Sequence, residues 1–346
     1  MEYAKIIGTG SYLPDEGVSN EKLLGKIQNF DADKARASLE RGGVDVSKFT
    51  ISDVFKTWVK GVTGIVQRYF TKVSTEEMAA IASREALAAA NIPASDIEYI
   101  IFASFTPFRE IPNPACTLAG TLGINAGGIQ TNTACCGFVD ALITADAYIK
   151  SQKYKTILVV AAEALTKKVN YNDPTTAILF GDGAGAAILQ ASKAPGIIST
   201  FQKSNYDPGN ITLEANGTIR MGGGPLVLKK AVNAMKESAL AALEKAKTHA
   251  KHKNAEDVLM HEVDFIIPHQ ANERIIDSLR ENLAVPKEKF CKTISEIGNV
   301  SGASGAITLD KLIRGKLAGQ TVKRGNRLLF TSVGGGYTLG AVYMIY

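Results

Sequence analysis

The chain has 346 residues, of which 45% are hydrophobic and 21% charged, the proportions of a globular chain with room for two domain-sized halves and a substantial core. A formal net charge of only +5, with no interleaving of basic and aromatic residues, argues against a nucleic-acid binder. No run reaches the roughly 18 apolar residues of a membrane helix, and Cys116, Cys135, Cys136 and Cys291 lack paired metal-ligand spacing, so neither a membrane nor a metal is expected.

The chain opens on a strand-like stretch, residues 3–8, with no apolar signal segment ahead of it, so a cytoplasmic location is the expectation. Residues 35–41 read as a helix ended by Gly42-Gly43, and 75–90 as a longer one. A strand over 99–104 follows. The run 128–133 is rich in β-formers, and after it Phe138, Ala141, Leu142, Ala145 and Ile149 recur at helical spacing over 136–150. Strands over 156–161 and 184–189 complete a first half, while 167–176 reads as a loop.

The pattern then repeats, with 209–222 reading as another loop. A helix over 226–247 carries Leu228, Val232, Met235, Ala239, Ala242 and Ala246 on one apolar face that should be buried. A strand over 263–267, helices over 273–282 and 303–314 and a strand over 327–331 follow. Alternation of this kind predicts α/β layers, and the repeat predicts a duplication with its boundary near Ser192, giving halves 1–192 and 193–346.

Chemistry enters where strand gives way to helix. Cys135 is expected at a helix N-terminus, whose unpaired N–H groups and positive dipole end favour an anion and lower a thiol from roughly 8.5 towards neutrality. Buried free cysteines are also common core residues, and on composition either Cys135 or the adjacent Cys136 could be the nucleophile. His269 follows an apolar strand, and Asn299 precedes a small-residue helix. A satisfied core histidine and a helix-capping asparagine are the plain readings. Together, one Cys, one His and one Asn could converge as a nucleophile with two hydrogen-bonding partners.

Three segments, Ala134-Cys135-Cys136-Gly137-Phe138, Pro268-His269-Gln270-Ala271-Asn272 and Gly298-Asn299-Val300-Ser301, resemble in order the active-site motifs of the ketoacyl-ACP synthase III family. Residues 6–14, 180–186 and 334–340 also look like signatures of that family, so the resemblance runs from end to end. It implies a thiolase-like fold, two duplicated α/β halves in a layered αβαβα arrangement, usually a homodimer, with no cofactor. It implies an acyltransferase working through acyl-Cys135: a decarboxylating Claisen condensation of an acyl-coenzyme A or acyl-carrier-protein donor with a malonyl-carrier-protein thioester. Such a step serves fatty-acid initiation or a specialised lipid or polyketide pathway. A non-decarboxylating acyltransferase and a non-catalytic synthase subunit are the alternatives, and intact Cys135, His269 and Asn299 argue against the second.

The family's Cys-x-Gly-Phe spacing selects Cys135 and leaves Cys136, like Cys116 and Cys291, to the core. By the same resemblance, the N–H groups of Cys135 and Gly335 form an oxyanion hole, and His269 and Asn299 donate to the enolate oxygen. Trp58, Ile111, Val333 and Gly223 are the expected substrate-binding residues. Val62 stands where an arginine is expected to sandwich adenine against Trp58, which weakens coenzyme A as donor. Val333 replaces a phenylalanine, and Ile111 sits where the partner subunit usually closes the acyl pocket with an aromatic. The segment between Asn20 and Trp58 is longer than usual and lies near the expected tunnel mouth. Lys229, Lys230, Lys236 and Arg274, with Lys287 and Lys289, are candidates for docking an acidic carrier.

Overall fold

Strand Thr156–Ala164 is buried along its whole length, and its period of two decides the layering. Ile157, Val159 and Ala161 enter one hydrophobic core, and Leu158, Val160 and Ala162 enter another. The computed structural model describes residues 2–207, 209, 211–222, 224–249, 251–252 and 254–346. Gly223, one of the expected substrate residues, lies outside them.

In chain order the strands are β1 (Tyr3–Tyr12), β2 (Gly17–Ser19), β3 (Gln67–Tyr69), β4 (Tyr99–Ala103), β5 (Gly127–Thr131), β6 (Thr156–Ala164), β7 (Asp182–Ser192), β8 (Ile197–Ser204), β9 (Ile211–Leu213), β10 (Ile219–Met221), β11 (Phe265–Pro268), β12 (Arg327–Gly334) and β13 (Thr338–Ile345). The helices are α1 (Asn20–Leu24), α2 (Ala32–Arg41), α3 (Ile51–Thr63), α4 (Thr75–Ala90), α5 (Pro114–Leu122), α6 (Gly137–Lys150), α7 (Pro174–Ala177), α8 (Pro225–Lys245), α9 (Ala255–His261), α10 (Glu273–Asn282), α11 (Ile294–Ile297) and α12 (Ala303–Ile313).

One sheet has the order β1-β7-β6-β4-β5 and the other β11-β12-β13-β8. Between them lie α6 and α12, whose Phe138, Leu142, Ile307 and Leu309 share a core with both sheets. Helices α4 and α5 cover the outer face of the first sheet. Helices α8 and α10 cover the outer face of the second, where Val232, Met235 and Ala239 are buried as the stripe predicted. The result is the five-layer αβαβα arrangement. Among the described residues, no helix is long and apolar enough to cross a membrane.

Local signals explain the best-matched elements. Helix α4 starts at a capping box, Ser74 Oγ accepting from Glu77 N–H and the Glu77 carboxylate accepting in return. Helix α3 has the same device at Thr50 and Asp53 and ends on Gly64 at φ 78°. Three expectations need correction. Residues 211–221 are not a plain loop, since β9 and β10 pair as a hairpin. Residues 167–176 include the start of α7, which Asp173 caps. Cys116 is exposed rather than part of the core, because it lies on the outer side of the peripheral helix α5.

Candidate active site

Residues 134–136 form a 3₁₀ turn between β5 and α6, entered through Ala134 at φ 48°. The turn sends the two neighbouring thiols in different directions. Cys136 is fully buried, and its Sγ meets Thr338 O of β13 at 3.0 Å. Cys135 lines a cavity of about 540 Å³. Geometry thus gives Cys136 to the core and opens Cys135 to a substrate.

Burial reverses the expected titration of Cys135. Its thiol is pushed up to about 11, because removal from water outweighs the hydrogen bond from Ser301 and because Glu163 lies near by. Cys135 sits in the 3₁₀ turn ahead of α6 rather than within its first turn.

His269 follows β11, which runs parallel to β12, and its backbone N–H donates to Thr331 O at 2.9 Å. The turn is locked by the fully buried Gln270. Its Nε2 donates to Pro268 O and Cys291 O, and its Oε1 accepts from the N–H groups of Thr293 and Ile294. His269 lines the cavity, and burial pushes its imidazole down to about 4, so the ring is neutral.

Asn299 is held by backbone on both sides, donating to Leu179 O at 2.9 Å and accepting from Gly181 N–H at 3.0 Å. Its side-chain Oδ1 accepts from Ser301 N–H at 2.8 Å. That bond leaves the Nδ2 donors for the cavity, which Asn299 also lines. Ser301, at φ 50°, donates its hydroxyl to Cys135 Sγ at 3.4 Å and so joins the asparagine to the nucleophile. Ser332 of β12 donates to Cys135 O at 2.8 Å.

The glycine run after Val333 packs against the same turn. A Cβ on Gly334 would lie 2.7 Å from Thr133 O and 3.2 Å from Cys135 N, so only glycine permits this approach. Gly334 lines the cavity. Gly335, the expected oxyanion donor, starts the next turn against Ile211 and is not among the lining residues.

Most of the remaining wall is apolar. Val333 and Val62 line it, with Phe105, Phe180, Ile219 and Met221 among the other walls. Arg68, itself fully buried, holds the Phe180 wall by donating to Ile178 O at 2.8 Å. Trp58 lines the cavity as well, but its ring packs on Phe30 and Phe55, with centroids 5.7 and 6.2 Å away. Phe30 belongs to the extra segment, whose α2 shares a small core of Leu39, Val46 and Val54 with α3.

Other expected residues fall elsewhere. Ile111 is 89% exposed and does not line the cavity of its own chain. Of the candidate docking residues, Lys229 is exposed and Arg274 reaches the cavity while donating to Gly61 O. Lys230 is paired with Asp207 at 2.5 Å, and Lys236 donates to Asn282 O. Lys289 is tied to the carbonyls of Met260 and Val263, which removes it from any docking surface.

Sequence reasoning assigned no role to Ser301, Gln270 or Glu163. The first two lie inside motifs already singled out. Glu163 carried a usable signal, a carboxylate near the end of an otherwise apolar strand. It is buried where it accepts from Phe105 N–H and the hydroxyls of Ser104 and Thr106, and burial pushes it up to about 8.

The pattern of 3-oxoacyl-[acyl-carrier-protein (ACP)] synthase III matches residues 129–205, and that of its C-terminal part matches residues 252–346. Over 99% of this chain and 100% of the other, the structure is similar to 3-oxoacyl-[acyl-carrier-protein] synthase III from Aquifex aeolicus VF5, with 35% identity and a TM-score of 0.85. The chain belongs to the 3-oxoacyl-[acyl-carrier-protein] synthase III family.

Two further similarities bracket that assignment. The synthase III of Pseudomonas aeruginosa PAO1 is 25% identical over 99% of this chain and 98% of its own, with a TM-score of 0.83. The priming β-ketosynthase of a polyketide biosynthetic pathway is 27% identical over 99% of this chain and 96% of its own, with a TM-score of 0.82. As a synthase III family member with the thiolase-like fold, the chain is an acyl-transferring condensing enzyme. The family uses acyl-coenzyme A and carrier-bound acyl substrates.

Proposed function

We propose that this synthase III family member joins an acyl thioester to a malonyl-carrier-protein thioester by decarboxylating condensation, with Cys135 as nucleophile and His269 and Asn299 as its partners. The observation that carries the reading is one apolar cavity lined by a thiol, a neutral imidazole and an asparagine whose Oδ1 is already engaged.

In the first half-reaction the Cys135 proton passes to the neutral ring of His269 as sulfur attacks the donor carbonyl. The oxyanion is met by backbone N–H groups of Cys135 and the Gly334–Gly335 turn, for which Gly335 is the proposed second donor. The tetrahedral species collapses with cleavage of the donor's C–S bond. The departing thiolate is protonated by solvent, leaving acyl-Cys135, a free thiol and a His269 whose site-facing nitrogen carries the proton.

In the second half, the malonyl thioester breaks its bond to the terminal carboxylate and releases carbon dioxide. The bonding electrons become an enolate, whose oxygen accepts from His269 N–H and Asn299 Nδ2–H. The enolate carbon attacks the acyl carbonyl, the new carbon–carbon bond forms, and Cys135 leaves as thiolate and takes its proton back from His269. Loss of one such donor typically costs on the order of 100- to 1000-fold in rate.

The cavity walls support an acyl chain, and the covered face of Trp58 together with Val62 supports a carrier-bound donor over coenzyme A. A homodimer is supported by β5, an edge strand whose Gly127 and Gly128 are exposed, and by the exposed Phe108 and Ile111. Carrier docking near Lys229 and Arg274 and a cytoplasmic location belong to the same proposal.

The test is intact-mass spectrometry with acyl-coenzyme A and acyl-carrier donors, followed by malonyl-carrier. An acyl adduct on wild type but not on Cys135→Ala, consumed with carbon dioxide release, is expected. Consumption without carbon dioxide would replace condensation by simple acyl transfer.

A further inference from the structure

Serine hydroxyls in a protein core ordinarily settle on backbone. Ser304, three residues on, does so by accepting from Val300 N–H at 2.9 Å, and Thr308 donates to Ser304 O at 2.8 Å. Ser301 does not follow them. It is 1% exposed, and the acceptor its hydroxyl meets is Cys135 Sγ at 3.4 Å.

The orientation is costly. Ser301 holds φ at 50°, in a region that non-glycine residues seldom occupy. Two contacts fix it there. Ser301 N–H is committed to Asn299 Oδ1 at 2.8 Å. The following Gly302 lies so close to the nucleophile turn that a Cβ on it would stand 3.1 Å from Ala134 O. Ala134, the residue before the thiol, is itself held at φ 48°.

We propose that Ser301 is a further catalytic residue, donating its hydroxyl proton to the Cys135 sulfur as a hydrogen bond that stabilises the thiolate during acylation. The inference rests on the reading of Cys135 as nucleophile. A donor aimed at sulfur favours the charged form, and it opposes the burial that otherwise keeps this thiol protonated. No proton is transferred from Ser301: the thiol proton leaves to the base, and the hydroxyl only turns its donor to the negative sulfur. Once sulfur is acylated it carries no charge and the bond weakens, so the hydroxyl acts on acylation and not on decarboxylation.

A hydrogen bond to an ionised group is worth a thiol titration shift of about one to two pH units, or about 10- to 100-fold in thiolate at a fixed pH. The experiment reads the pH dependence of Cys135 alkylation by iodoacetamide, site by site by peptide mass spectrometry, in wild type, Ser301→Ala and Ser301→Gly. Glycine removes the hydroxyl and tolerates the positive φ. Both variants are expected to titrate Cys135 at higher pH, and to lose about 10- to 100-fold in acylation rate near neutrality. Release of carbon dioxide from malonyl thioester by enzyme already acylated should stay near the wild-type rate. An unchanged alkylation profile in Ser301→Gly, or an equal loss in acylation and in carbon dioxide release, would overturn the proposal. Alkylation reads the thiol whatever the natural substrate is, so a failure of the reading of Cys135 as nucleophile shows separately, as acylation that survives in Cys135→Ala.

Discussion

At Glu163 the environment and the charge state decide one another. Strand alternation puts its side chain on the same face of β6 as Val159 and Ala161, towards the central layer. There it meets the Ser104, Phe105 and Thr106 donors and no cation among the described residues. Burial holds the carboxyl up to about 8, against about 4.3 for an exposed glutamate. The folded chain therefore keeps a proton that the unfolded chain gives up, and stability complete at low pH is lost as pH rises towards 8. His269 has the opposite sign, held down to about 4, so its contribution is lost only as pH falls below about 6.5. Between about pH 7 and pH 8 Glu163 is thus read apart from His269. Melting temperature should fall over that interval in wild type and fall less in Glu163→Gln, and parallel slopes would refute the assignment. The two adjacent thiols give a second prediction. Cys136→Ala should keep acylation within a few-fold and cost about 1 kcal/mol of stability, as a small core deletion does. Cys135→Ala should abolish acylation with little change in melting.

The elements bring these residues together by close approach. Strand β12 runs beyond the predicted 327–331 as far as Gly334, and its end presses on the 3₁₀ turn of Cys135. Gly334 has φ −121°, an ordinary extended value, so what demands glycine is the 2.7 Å that a Cβ would leave to Thr133 O. Gly334→Ala must push the nucleophile turn away, and a displacement near 1 Å at reacting atoms is worth about 100-fold. A loss of about that size in acylation, with secondary structure by circular dichroism unchanged, is the expected outcome. A fully active Gly334→Ala would show that the turn yields freely. The β9–β10 hairpin is the other element that matters to substrate, since Ile211, Ile219 and Met221 line the cavity. Its residues read as a loop from sequence because each strand is too short to show alternation.

Over the whole molecule, duplication sets where the site forms. The Cys135 turn follows the first sheet's β5 and His269 follows the second sheet's β11, while Asn299 is bonded to Leu179 and Gly181 just ahead of β7, so the cavity opens where the two sets of loops meet. The first sheet stops at the edge strand β5, and Phe108 and Ile111, between β4 and α5, are large apolar side chains left exposed. If that surface joins two copies, light scattering should report a dimer for wild type and a smaller species for the Phe108→Asp, Ile111→Asp pair. A monomeric wild type would end the homodimer proposal. Alternating elements, the helix stripes and six ordered motifs are local properties, written in spacing and residue type, and the sequence by itself determined the α/β layers, the family and the three polar residues of the site. The upward shift of the Cys135 thiol, the hydroxyl of Ser301 on its sulfur and the covering of Trp58 by Phe30 were decided only by tertiary structure. Each depends on burial and on contact between segments far apart in the chain, and neither desolvation nor long-range contact leaves a periodic trace in sequence.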